Sequence, residues 1–178
     1  MKLPALAALI GVILTGCASS PPTIAPVSEV DLPRFMGKWY VIAHVEGPFD
    51  KAAYNAVETY ALRPDGRIGT TYQQRKGGFD APEKTMHPVG RVVPGTDNAV
   101  WDMQFVWPIQ AEYVIVDVAP DYSDTVIGRS KRDYAWIMAR TPTMDEARYQ
   151  VLVKKLVDLG YDASQLRRVP QQWPANGE

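Results

Sequence analysis

Apolar and polar positions along this chain alternate in short runs. From Lys38 to Glu46 (KWYVIAHVE), Trp39, Val41, Ala43 and Val45 share one face and Lys38, Tyr40, Ile42, His44 and Glu46 the other, the period of a β-strand. Further strands are predicted over 54–62, 67–76, 85–93, 99–106, 112–118, 125–130 and 134–140. Turn chemistry separates them: Arg63-Pro64-Asp65-Gly66, Gly77-Gly78, Pro94 to Asn98, Trp107-Pro108, Pro120 to Ser123, and Lys131-Arg132-Asp133. Eight short strands at near-regular spacing predict an antiparallel barrel or sandwich of sequential hairpins. Trp39, opening its strand beside Gly37, suits either the plug of a closed barrel floor or an ordinary core position.

Two helical signals flank the strands. Asp31 caps a short turn with Pro33 inside it. After the last strand, Thr143-x-x-Glu146 reads as a capping box, Ala147, Val151, Leu152, Leu156 and Leu159 as an apolar stripe, and Gly160 as the residue past the end. That helix is expected to pack outside the barrel. A short turn and one more extended piece near Arg168-Val169 follow.

Phased by the second, third, fifth and sixth strands, alternation points Ala56, Glu58 and Tyr60 inward, with Ile68, Thr70, Tyr72, Gln74, Trp101, Met103, Phe105, Tyr113, Ile115 and Asp117. Thr59, Gln73, Arg75, Asp102, Gln104 and Glu112 face solvent. With Trp136 of the eighth strand, Glu58, Tyr60, Tyr72, Trp101, Met103, Phe105, Tyr113 and Ile115 form the expected lining for an apolar molecule with one polar end. Glu58 is the misfit. Pointing inward it needs Arg129, Gln74 or a ligand headgroup; at the open rim it is simply solvated. Lys76, Lys84, Arg129, Lys131 and Arg132 lend the mouth positive character.

The 178 residues fit one domain, and Lys+Arg 19 against Asp+Glu 20 leaves no basic field for nucleic acid. The N-terminus stands apart. Met1-Lys2, an apolar run from Leu3 to Leu14 and then Leu14-Thr15-Gly16-Cys17 have the layout of a signal peptide over 1–16, too short to span a membrane as a permanent helix. Cys17 is the only cysteine, so no disulfide forms within the chain. Residues 17–30, rich in Ser, Pro and Ala, make a tether; 31–173 make the barrel; 174–178 are expected to be loose. Leu-Thr-Gly-Cys resembles the lipobox of bacterial lipoproteins. That resemblance implies a diacylglycerol and an amide-linked acyl chain such as palmitate on Cys17, and Ala18 implies outer-membrane sorting. A plain secretory signal with an incidental cysteine is the alternative.

Gly37-Lys38-Trp39-Tyr40 resembles the first signature of the lipocalins, and Arg132 to Pro142 (RDYAWIMARTP) the eighth strand and third signature, including its arginine. The likeness is to the bacterial lipoprotein lipocalins and the apolipoprotein-D-like group, over roughly 31–173. The second signature is degraded to Asp121-Tyr122. The resemblance implies an eight-stranded up-and-down barrel whose floor has Arg140 across the Trp39 ring. It also implies a fatty acid or lysophospholipid inside, lipid attachment to a membrane, and a monomer or weak dimer.

No catalytic constellation emerges. His44 and His87 lie on different strands without ligand-spaced partners, so both are expected at the surface or rim and no metal is expected. There is no nucleophile elbow and no phosphate-cradling loop, and no cofactor is expected. A binding module is the first reading. An enzyme using Glu58 or Asp117 as base on a lipid, and a structural lipoprotein with a filled barrel, are the alternatives.

Overall fold

Strand β1 (Gly37–Val45) pairs antiparallel with β2 (Ala53–Leu62) on one side and with β9 (Ala135–Ala139) on the other, which closes the sheet on itself. Between them run β3 (Ile68–Lys76), β4 (Glu83–Met86), β5 (Val89–Val92), β6 (Val100–Val106), β7 (Ile109–Val118) and β8 (Asp124–Gly128). The computed structural model describes residues 22–173. The expected signal peptide, Cys17 and the 174–178 tail lie outside the described residues.

The fourth predicted strand, 85–93, is two strands. His87-Pro88 interrupts it, because proline has no N–H for the ladder; β4 and β5 both pair with β3, and only β5 continues to β6. Counted as one, they give an eight-stranded antiparallel closed barrel. Strand β10 (Leu166–Arg168), in the extended piece expected near Arg168, adds to the half of β1 that β2 leaves unpaired.

Two bulges overturn the simple alternation. A register shift between Val41 and Ala43 puts Ile42 and Ala43 both in the outer layer, so Val45 faces out with them and not with Trp39. A shift between Ile115 and Asp117 does the same on β7: Asp117, expected inside, faces the helix.

Helix α1 (Leu32–Phe35) carries the expected Asp31 cap and drives Phe35 into the barrel end. Helix α2 (Glu146–Asp158) packs outside. Its N-cap is Asp145, accepting from the Arg148 N–H at 3.0 Å, rather than Thr143. The buried face is Tyr149, Leu152 and Leu156; Ala147 and Val151 are exposed, because the wall-facing stripe runs through an aromatic that a purely aliphatic count overlooks. Arg148 to Asp124 (2.6 Å) and Lys155 to Asp117 pin the helix to the wall, and Gly160 ends it at φ +92.

The chain therefore has two cores. One fills the barrel; the other lies between its wall and α2. Residues 22–30 form a strap along the wall, with Ile24 in the outer core and Val30 in the barrel core. Ile24 N–H donates to Ser130 Oγ near the mouth, Val27 N–H to the Ile115 carbonyl midway, and Val30 N–H to the Asp97 carbonyl at the floor.

Candidate ligand cavity

The floor is built where β1 begins. The Arg140 guanidinium lies 3.7 Å over the Trp39 ring, as the lipocalin resemblance implies, and donates to the carbonyls of Lys38, Arg34 and Phe35. Trp39 Nε1 donates to the Phe35 carbonyl at 2.8 Å. The degraded second signature still serves this end: the Tyr122 carbonyl accepts from Arg140 Nε, and its hydroxyl accepts from Asp31 N–H.

Above the floor the barrel is filled. Phe35, Trp39, Tyr60, Trp101 and Tyr113 interlock, with the Trp101 and Tyr113 rings stacked 4.9 Å apart. Tyr60 and Trp101, expected to line the hollow, are spent on this plug, and Ile115 is buried beside it.

Glu58 points inward and is buried, which settles its two alternatives, but neither Arg129 nor Gln74 meets it. Gln74 Nε2 donates to the Phe49 carbonyl, and Arg129 pairs with Asp133. Its partner is the Tyr60 hydroxyl, which is also 2.5 Å from that of Tyr113. Burial pushes the Glu58 carboxyl up to about 7; the Tyr60 hydrogen bond opposes that and the Asp50 charge adds to it. Its Oε2 and the Tyr72 hydroxyl are buried without a partner among the described residues.

The sequence reading missed a second polar group. The β1 bulge turns His44 into the interior, where it is fully buried, not at the surface or rim as expected. Its Nδ1 lies 2.8 Å from Asp50 Oδ2, and the same carboxylate accepts from the Tyr134 hydroxyl at 2.9 Å and Gly47 N–H at 2.7 Å. Burial raises the Asp50 carboxyl, but the bonds from His44, Gly47 and Tyr134 outweigh it and hold the group below the usual range. The cluster ties the loop after β1 to the start of the neighbouring strand β9. Only an unseen bulge hid it. His87 is exposed, as expected.

Between this latch and the β6–β7 hairpin lies a cavity of about 350 Å³, within the usual range for small-molecule sites. Met103, Phe105, Tyr113 and Trp136 of the expected lining form its wall, joined by Phe49, Val106, Ile109, Ala111 and Tyr134. Glu58 and Tyr72 lie outside its lining. Arg129, Glu112 and Asp133 supply its charged edge, and Trp136 Nε1 is a buried donor without a protein partner among the described residues.

A closed antiparallel cup, blocked at one end by an indole under a guanidinium and hollow near the other, is the class of protein that fold and site define. The chain belongs to the lipocalin-like family, whose domain it matches over residues 30–171. It is 34% identical to temperature-induced lipocalin-1 of Arabidopsis thaliana over 82% of this chain and 81% of that one. It is 27% identical to the outer membrane lipoprotein Blc of Vibrio cholerae over 92% and 96%. Insecticyanin from the tobacco hornworm Manduca sexta shares the fold, with a TM-score of 0.65 over 88% of each chain at 16% identity.

Proposed function

We propose that the protein is a lipid-anchored lipocalin that binds and carries or stores a small amphiphile, a fatty acid or lysophospholipid, in the cavity near its mouth. The observation that carries this reading is the hollow itself: walls of Met103, Phe105, Tyr113 and Trp136 end at an edge of Arg129, Glu112 and Asp133. An acyl chain gains about 25 cal/mol for each Å² it buries there, and a polar head stays at the edge. Anchoring through Cys17 in the outer membrane is supported by the Leu-Thr-Gly-Cys motif and by similarity to proteins named outer membrane lipoprotein.

Binding without turnover fits the acids. Glu58 is buried and outside the cavity lining, and Asp117 is engaged outside the barrel by Arg148 and Lys155. The test is a titration of intrinsic tryptophan fluorescence with fatty acids and lysophospholipids, alongside native mass spectrometry of the purified protein. Saturable quenching and co-purifying acyl chains are expected. A linear, unsaturable response with no bound lipid would favour a filled structural barrel.

A further inference from the structure

The large exposed apolar side chains are not scattered evenly. Phe49, Val106, Trp107 and Ile109 are all at the open end, with Trp107 81% exposed at the tip of the β6–β7 hairpin. Val106-Trp107-Pro108-Ile109-Gln110 carries no charge, and Phe49 stacks on Phe105 6.0 Å away, joining the loop after β1 to the hairpin. Phe49, Val106 and Ile109 also line the cavity, so the patch surrounds its opening. A contiguous apolar edge tipped by tryptophan and surrounding a lipid-sized hollow suits an interface between water and hydrocarbon.

The strap supplies a second, independent observation. It runs from floor to mouth as the chain is traced back towards its start: Val30 is tied at the floor, Ile24 at Ser130, and the Pro22 carbonyl accepts from Arg132 on the loop before β9. The described chain thus begins at the open end. Cys17 is five residues further back, a span of at most about 18 Å. Exposed Lys51, Lys76 and Lys131 on the loops of that end add attraction to an anionic surface.

We propose that the open end of the barrel faces a lipid bilayer, with the Val106–Ile109 hairpin tip and Phe49 inserted at its surface, so that an amphiphile passes between bilayer and cavity without crossing water. The occupant of this edge is lipid. The inference rests on the proposed anchoring at Cys17 and adds an orientation to it: an anchor on so short a lead from the mouth side cannot hold the floor against the membrane without reversing the strap.

The full-length lipoprotein, reconstituted into vesicles whose acyl chains carry bromine, tests this. Trp107 emission should be quenched by the brominated chains, and the quenched component should disappear in Trp107→Phe. Leu62, half exposed at the floor end, reports the opposite pole: Leu62→Trp on the Trp107→Phe background should stay unquenched. Failure of the protein to float with the vesicles overturns both anchor and orientation. Flotation with Trp107 unquenched, or with the tryptophan at position 62 quenched, overturns the orientation alone. Shielding of Trp107 that does not depend on bromine indicates a second copy on the hairpin and also overturns it.

Discussion

The Arg140 guanidinium sits 3.7 Å above the Trp39 ring, and from there it donates to three carbonyls at the turn into β1, that of Phe35 shared with Trp39 Nε1. One side chain thus seals the floor, caps the end of α1 and holds the loop before β8.

Replacing Arg140 with alanine removes the cation–π contact and its hydrogen bonds to the Lys38, Arg34 and Phe35 carbonyls, so a loss of about 2–4 kcal/mol in unfolding free energy is expected. Arg140→Lys keeps charge but not the planar fork and should recover less than half. Urea unfolding monitored by tryptophan fluorescence measures both; ligand affinity should change little, because the cavity is at the other end.

At the mouth, Gly47 passes so close to Tyr134 that an added Cβ would lie 1.8 Å from its Cε2. Gly47→Ala should expel the tyrosine from Asp50 and cost about 1–3 kcal/mol. Tyr134→Phe, which removes only the donor, should cost about 1–2 kcal/mol. Hydrogen exchange of the loop 46–52 should speed up in both variants, and unchanged exchange would mean the latch does not hold the loop.

The two buried acids pull stability in opposite directions with pH. Glu58 in the folded protein keeps its proton up to about 7, whereas the unfolded chain releases it near 4.5. Its contribution therefore declines as pH rises through that window, by up to about 3 kcal/mol, and is constant above it. Glu58→Gln should remove that decline and leave the variant more stable than the wild type above pH 7. Asp50 behaves oppositely: its stabilisation is full above the unfolded value and fades as pH falls through the lower folded one. Urea midpoints at pH 5 and 8 isolate Glu58, because the Asp50 contribution is full at both, and a wild type without the Glu58-dependent slope would contradict the buried placement.

Ala111 is a small residue in the cavity wall. Ala111→Trp should fill much of the 350 Å³ and weaken amphiphile binding at least about tenfold, since the lost apolar burial exceeds 1.4 kcal/mol. Thermal stability should stay near that of the wild type.

Much of this was legible in the residues. Alternation located the strands, and the Trp39 and Arg140 motifs placed the floor. What the sequence concealed was parity. A bulge adds one residue with no local signature, and everything beyond it changes face. That is why His44 emerged inside and Asp117 outside, while Trp39 and Tyr113, ahead of their bulges, fell as expected. The division of the interior was equally hidden, because alternation finds inward residues but not which of them touch one another. Tyr60 and Trp101 pack into a plug, whereas Met103, Phe105 and Trp136 surround open space. Helix α2 shows the same limit at a cap, where Asp145 displaced Thr143 by standing two residues closer to the first free N–H groups.

The most direct test of ligand binding in the cavity is a crystal structure of the protein with a fatty acid brominated at its chain end, read by bromine anomalous scattering. An acyl chain that enters head-last gives a single strong peak inside the barrel, against Met103, Tyr113 and Trp136, with the carboxylate near Arg129. A peak only on the outer surface, or none in a crystal grown with saturating ligand, would contradict it.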